Sequence, residues 1–375
     1  MSLNAQSRNV PSNNVILRHD RTTTLNEPAW RYALSPDAKS IAVIGLRSGK
    51  IYVVDISSGR QIEVNTPDLR AKTLLCWSRD GTHLAAANTG TLIIASVEQA
   101  ITLQQIDNSQ LGGFGRAALY SNDGSTLYVQ NSNITSKALV LAVDLSSSNI
   151  EQFIETPVHD ARAVLTLPGR FQSLGNGDFF SCAIGRWDGR LGPAGRRDFD
   201  FKSFVIPLSR GIRGPTPADL IVDFAHGIDG SGVVRALDFK CLYSEAVEAT
   251  VVFRPSGTKL TTVPVDITKD KAFETYDTDG RRASTFGGYG VLEGNSISDF
   301  DLHPTRPWAV TTAPRVRGAN GREVGMITVW DIRTGDTLQR LEAPVDIADP
   351  TISRDGSLLA VNAENGIRIL RFVDN

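Results

Sequence analysis

Short apolar runs separated by polar turns recur along this chain, and the turns share a phrase. Tyr32-Ala33-Leu34 runs into Ser35-Pro36-Asp37, Leu75-Cys76-Trp77 into Ser78-Arg79-Asp80-Gly81, and Ala118-Leu119-Tyr120 into Ser121-Asn122-Asp123-Gly124. The phrase returns near the end as Thr351-Ile352-Ser353-Arg354-Asp355-Gly356. Each apolar run is rich in β-branched and aromatic residues, as buried strands are. Asp-Gly supplies the positive-φ residue of a tight hairpin, and Ser or Asp side chains bond the turn backbone. A second phrase follows, an apolar strand ending in Asp before a short polar turn. Ile51 to Asp55 precedes Ser57-Ser58-Gly59, and Ile327 to Asp331 precedes Arg333-Thr334-Gly335. Leu139 to Asp144 and Thr261 to Asp266 repeat it less cleanly. Asp55, Asp144, Asp266 and Asp331 therefore read as turn caps rather than catalytic carboxylates.

Ser35, Ser78 and Ser121 stand 43 residues apart each time. That period fits a propeller blade of four antiparallel strands, in which every repeat adds its own slice of core. Blades are expected near 28–64, 70–106, 114–155, 160–226, 232–277, 296–342 and 345–373. The chain is thus expected to be all-β, a seven-bladed β-propeller, with eight blades as the alternative count. The last blade has only three strands of its own. Asn14 to His19 is expected to supply the fourth and close the ring, which removes an exposed sheet edge. Residues 1–13 read as a polar tail, 14–375 as one propeller domain, and 186–200 as an insertion in the fourth blade.

Ser35-Pro36-Asp37, Ser78-Arg79-Asp80-Gly81 and Val329-Trp330-Asp331 resemble WD-repeat propeller blades. Leu127-Tyr128-Val129-Gln130-Asn131 resembles the related YVTN-type repeat. Trp-Asp occurs at Trp330-Asp331 in a strand-turn phrase and at Trp187-Asp188 in the expected insertion, and the family's Gly-His dipeptide does not occur. The resemblance implies a binding platform, or, by analogy with lactonase- and lyase-like propellers, an enzyme with its site on the central channel.

Composition narrows the choice. Hydrophobic residues make up 41%, enough for a packed interior, and no apolar stretch approaches the roughly 18 residues of a membrane span. The polar start lacks an apolar signal core, so a cytoplasmic location is expected. A formal charge of −2 argues against nucleic-acid coating, for which the 186–213 stretch would be the contact. Cys76, Cys182 and Cys241 form no CxxC pair and read as reduced thiols in apolar runs. No phosphate loop, nucleophile elbow or metal-protease motif occurs, so no metal or cofactor is expected. His303 stands where other blades carry Ser and reads as structural. Gly227 to Gly232 and Gly287-Gly288 read as loops between blades. Trp30, Trp77, Trp308 and Trp330 are expected to fill gaps between blades, with Trp187 as the exception.

Aligned on the turn Ser, Arg116, Arg162 and Arg235 occupy one position of the innermost strand in successive blades. Arg31, Asp299 and Asp349 stand one residue later. These side chains are expected to gather at one mouth of the channel as an arginine crescent, using a bidentate fork that suits carboxylates. Loops between second and third strands should open on the same face, adding Arg186, Arg196, Arg197, Arg315 and Arg317. The expectation is a non-catalytic scaffold that binds an acidic segment of a protein partner there. The enzyme alternative would draw on Arg235, Asp238, Asp299, Asp301 and Asp349.

Overall fold

The computed structural model describes residues 16–373 apart from 26, 68–73, 89, 108–113, 132–137, 156–162, 167–169, 175–176, 188–196, 209–219, 229–239, 245, 254–270, 277–281, 289–298, 319 and 364–365. The described chain is all-β, with its strands in seven antiparallel sheets. Numbered in chain order, their strands fall within 29–64, 74–107, 114–155, 163–228, 240–288, 299–343, and 348–372 together with 17–24. Six sheets have four strands. The fourth sheet has five because its leading strand is broken. Ala163–Thr166 and Arg170–Leu174 pair with opposite halves of the same long strand, Gly177–Trp187.

The core lies between sheets, and the two-residue period of a strand explains how. On Ser40–Gly45, Ile41 and Val43 pack with Leu358, Ala360 and Ile367 of sheet seven. Ala42 and Ile44 point the other way, onto Trp77, Leu84 and Ala86 of sheet two. Sheet two repeats the division, with Ala85 and Ala87 packing with Tyr120, Leu127 and Val129 of sheet three. Similar clusters join sheets three and four, five and six, and six and seven. A strand buried on both faces must be apolar at every position, which is why the repeats read as continuous runs.

Leading strands neighbour one another in sequence. Ala29–Leu34 contacts Leu74–Trp77, which contacts Phe114–Tyr120, which contacts Arg170–Leu174. Contacts continue to Lys240–Ser244, Asp299–Leu302 and Ala348–Ile352, and that last strand touches Ala29–Leu34.

The N-terminal strand Leu17–Thr24 completes sheet seven, from Leu17 opposite Phe372 to Thr24 opposite Gly366. Neighbouring sheets clasp it. Gln339 of sheet six accepts from the Ile16 and Leu17 amides at 2.9 and 2.7 Å and donates to the Leu17 carbonyl at 3.0 Å. Arg21 donates to the Ile56 carbonyl of sheet one at 2.6 Å.

Several sequence expectations need correction. The third strand of sheet five is Lys271–Tyr276, and Thr261 to Asp266 lies outside the described residues. Gly287 and Gly288 end that sheet's outer strand, Arg282–Gly288, and Gly227 lies within Leu220–Ile228 rather than in a loop. Arg186 pairs with Asp200, so the two ends of the expected insertion extend a hairpin of two 11-residue strands.

Candidate functional site

Antiparallel sheets of four strands have two unlike ends. One carries the turns joining strands one to two and three to four; the other carries the two-to-three loops and the links between sheets.

The turn end is uniform. Ser35, Ser78, Ser121 and Ser353 donate to the carboxylates of Asp37, Asp80, Asp123 and Asp355 at 2.6, 2.6, 2.6 and 2.5 Å. Each serine oxygen also accepts the amide five residues on, from Ser40, His83, Thr126 and Leu358 at 2.8–3.0 Å. These bonds hold Asp80 and Asp123 near a pKa of about 2, the serine hydroxyl contributing most. Asp55 is likewise held at about 2, by Ser57 first and Ser58 next, and Asp144 and Asp331 cap their turns in the same manner. His303 replaces serine with its ring. Nδ1 accepts from the Thr305 and Arg306 amides at 3.2 and 3.1 Å, so Nε2 carries the proton donated to the Gly356 carbonyl at 3.1 Å. Burial pushes the Cys76 thiol up to about 12, which leaves it protonated and unreactive at neutral pH.

The loop end is irregular. Register shifts fall between Ala29 and Arg31, Phe114 and Ala118, and Ala348 and Thr351, each at the leading end of an innermost strand. Arg31, Arg116 and Asp349 stand at or inside these shifts, whereas Asp299, aligned with Arg31 and Asp349, sits in regular register opposite Thr312. Bulges re-aim side chains. Trp30 falls at one of these shifts and is 49% exposed, and Leu46, which follows Ser40–Gly45, is 50% exposed. This corrects the expectation that Trp30 fills a gap between sheets, a role kept by Trp77 and Trp330.

Glu27 holds this end together. It accepts from the Arg47 and Ser48 amides at 2.7 and 3.0 Å and from the Ser48 hydroxyl. Burial opposes its charge, but the Ser48 and Arg47 hydrogen bonds prevail and keep its pKa below the ordinary value. Gly45 permits the approach, because a Cβ there would lie 2.0 Å from Glu27 Oε1. The Leu46 amide donates to the Pro28 carbonyl at 2.9 Å, fastening the two-to-three loop to the link between sheets. In sheet six, Asp346 makes the same kind of bond to Pro314, and Arg315 grips its carboxylate bidentately at 2.9 and 3.0 Å. Loops and links therefore share one end, as expected.

The remaining predicted residues divide as follows. Arg31 is half-buried and engaged in a contact of its own. Arg116, Arg186, Arg197 and Arg317 lie on strands, with side chains outside the described set. Arg162, Arg196 and Arg235 lie outside the described residues.

Farther in, Tyr32 donates to the Asp349 carbonyl and lies 3.0 Å from that of Ala360. Burial drives its phenol pKa well up, and Asp349, Asp299 and Asp301 reinforce that. Asp299 accepts from the Phe300 amide at 2.6 Å. Asp301 accepts from Leu302 at 2.9 Å and bridges to the Ile352 amide of sheet seven at 2.8 Å. Among the described residues no group of three or more His, Cys, Asp or Glu is placed to hold a metal ion.

No family model matches the chain, and no curated protein matches it. Its fold does match a solved one. Kuenenia stuttgartiensis hydrazine synthase superposes with a TM-score of 0.62 at 13% identity, over 94% of this chain and 98% of that one. At that identity the likeness is one of fold. The four-stranded antiparallel sheets are consistent with propeller blades. No helix among the described residues is long and apolar enough to cross a membrane.

Proposed function

We propose that the seven sheets form a closed, seven-bladed propeller of WD-repeat-like type, a cytoplasmic scaffold that binds an acidic segment of a protein partner through its loop end. The cyclic order of contacts between leading strands and the clasped N-terminal strand support the ring. One observation carries the binding role: Trp30 and Leu46, each about half exposed, both lie on the end that carries Arg31, Arg47 and Lys50. An exposed tryptophan on an arginine-bearing end has the composition of an interface hot spot. The arginines favour carboxylates, and the apolar pair favours an aromatic or aliphatic residue beside them.

The propeller-enzyme alternative draws less support. Of its described carboxylates, Asp299 and Asp301 are committed to backbone amides within and between sheets six and seven.

An array of Asp- and Glu-rich peptides with interspersed aromatics tests the reading. Wild-type protein should retain a subset that Trp30→Asp loses, and charge reversal of Arg116, Arg162 and Arg235 together should weaken the same peptides. Retention unchanged in both variants would remove this face from consideration.

A further inference from the structure

The two outer strands of sheet seven carry a basic group that the partner-binding reading does not use. Leu370 and Phe372 share one face of Gly366–Phe372 and belong to a core cluster with Val310, Ile327 and Val329 of sheet six. Arg368 stands two residues before Leu370 in an unbroken ladder with Leu358–Ala363, so it lies on that same face. On the N-terminal strand, Thr22 is directly opposite Arg368 and His19 directly opposite Leu370. The register shift between His19 and Arg21 draws the two together, and His19 Nε2 lies 3.2 Å from the Thr22 hydroxyl. Arg368, Thr22 and His19 thus share one flank of the sheet.

Arg368 is the unusual member. Its Nε is buried without a hydrogen-bond partner, and among the described residues no ion pair reaches the guanidinium. Burial lowers its pKa, and no carboxylate offsets the effect. The residue is still only partly buried. Its backbone is paired on both sides, to Thr22 and to Val361, so the open surface belongs to the far end of the side chain. The same charge reaches His19, whose pKa is lowered by burial first and by Arg368 next. Asp20 opposes that shift, but its carboxylate is shared between Arg371 at 3.4 Å and Arg21 at 3.7 Å. A partly desolvated guanidinium without a counter-ion is costly, and an arriving anion relieves that cost.

We propose that this flank binds a tetrahedral oxyanion: inorganic phosphate or the phosphate group of a monoester. The outer nitrogens of Arg368 take two of its oxygens. His19 donates through Nε2 to the Thr22 oxygen, which turns the Thr22 hydroxyl hydrogen toward a third. A carboxylate has only two oxygens and would leave one of these donors unused, which favours phosphate. The site uses none of the residues assigned to partner binding and stands independently of that reading.

Proton NMR of the full chain at fixed pH tests it, following the imidazole signal that His19→Gln removes. The probes are inorganic phosphate and Nα-acetyl-phosphoserine amide, with acetate and chloride as controls at matched ionic strength. At least one phosphate probe should shift the signal saturably, and the one that saturates at lower concentration identifies the source. Acetate and chloride should be weaker by about tenfold or more. Arg368→Met keeps the apolar stem and removes the unpartnered nitrogen. It should leave the melting temperature unchanged or higher, yet weaken phosphate binding about tenfold or more. Thr22→Val, which keeps the β-branched shape, should weaken it about threefold. Absence of a saturable shift with both phosphate probes, an equal response to acetate, or binding unchanged in Arg368→Met or in Thr22→Val would each overturn the proposal. So would a lower melting temperature in Arg368→Met, which would make the guanidinium a structural group.

Discussion

The two ends of the sheets obey different rules. At the turn end, four serine–aspartate pairs repeat one geometry within a tenth of an ångström, and His303 reproduces its function with a different ring. At the loop end, the described sheets vary. Sheet one breaks register and exposes a tryptophan, sheet six keeps its leading strand regular from Asp299 to Leu302, and sheet seven places Asp346 and Asp349 at positive φ. Repetition marks where the chain specifies its fold. Departure from it, where ladders are bulged and apolar side chains face water, marks where recognition has room to evolve.

The contrast is open to attack, and the strongest blow falls on the N-terminal strand. Deleting residues through Thr24 would bare the edge of Gly366–Phe372 and strip Ile16 and Leu17 from the core cluster they share with Leu370 and Phe372. Loss of cooperative unfolding and aggregation are expected, measured by circular dichroism and light scattering. Next comes Gly356→Ala. Gly356 has φ +73, and a Cβ would meet His303 Cε1 at 2.5 Å, so backbone strain and a clash combine. A loss of about 2–4 kcal/mol in urea denaturation is expected. Ser78→Ala should cost about 1–2 kcal/mol, because buried Ser78 both donates to Asp80 and accepts from His83.

Acid should act on the same turns. Asp55, Asp80 and Asp123 have folded pKa values near 2, below the ordinary 3.8, so the folded state holds fewer protons than the unfolded one in between. Their contribution is complete above about pH 4 and disappears as pH falls toward 2. The melting temperature should therefore drop across that window, and less steeply in a variant with all three changed to Asn. Smallest of all should be Trp30→Ala. It removes half-exposed surface at a bulge, and stability should stay within about 0.5 kcal/mol of wild type.

Much of the turn end was legible from residues alone. The spacing of Ser35, Ser78 and Ser121, the capping roles of Asp55 and Asp144, the structural His303 and the pairing of the first strand with the last all follow from local chemistry that repeats. The loop end was not. Trp30 sits in an apolar run and reads as core, yet it falls at a register shift and is half exposed, and no residue type announces a bulge. Sheet five misled for a related reason. Thr261 to Asp266 carries the alternation of a strand, whereas the third strand, Lys271–Tyr276, is mixed in polarity, and the outer strand ends on the glycine pair that reads as a break. The arginine alignment places Arg31 and Arg116 where ladders shift register, but alignment fixes a position along a strand and leaves the direction of the side chain open.

The most direct test of the division of labour is fluorescence anisotropy with a labelled acidic, aromatic-containing peptide drawn from the array, titrated against two double variants. Trp30→Asp with Leu46→Asp should weaken binding by tenfold or more at unchanged melting temperature. Ser35→Ala with Ser78→Ala should lower the melting temperature and leave the affinity as it was. The reverse pattern, affinity lost with the serines and kept without Trp30 and Leu46, would contradict the account.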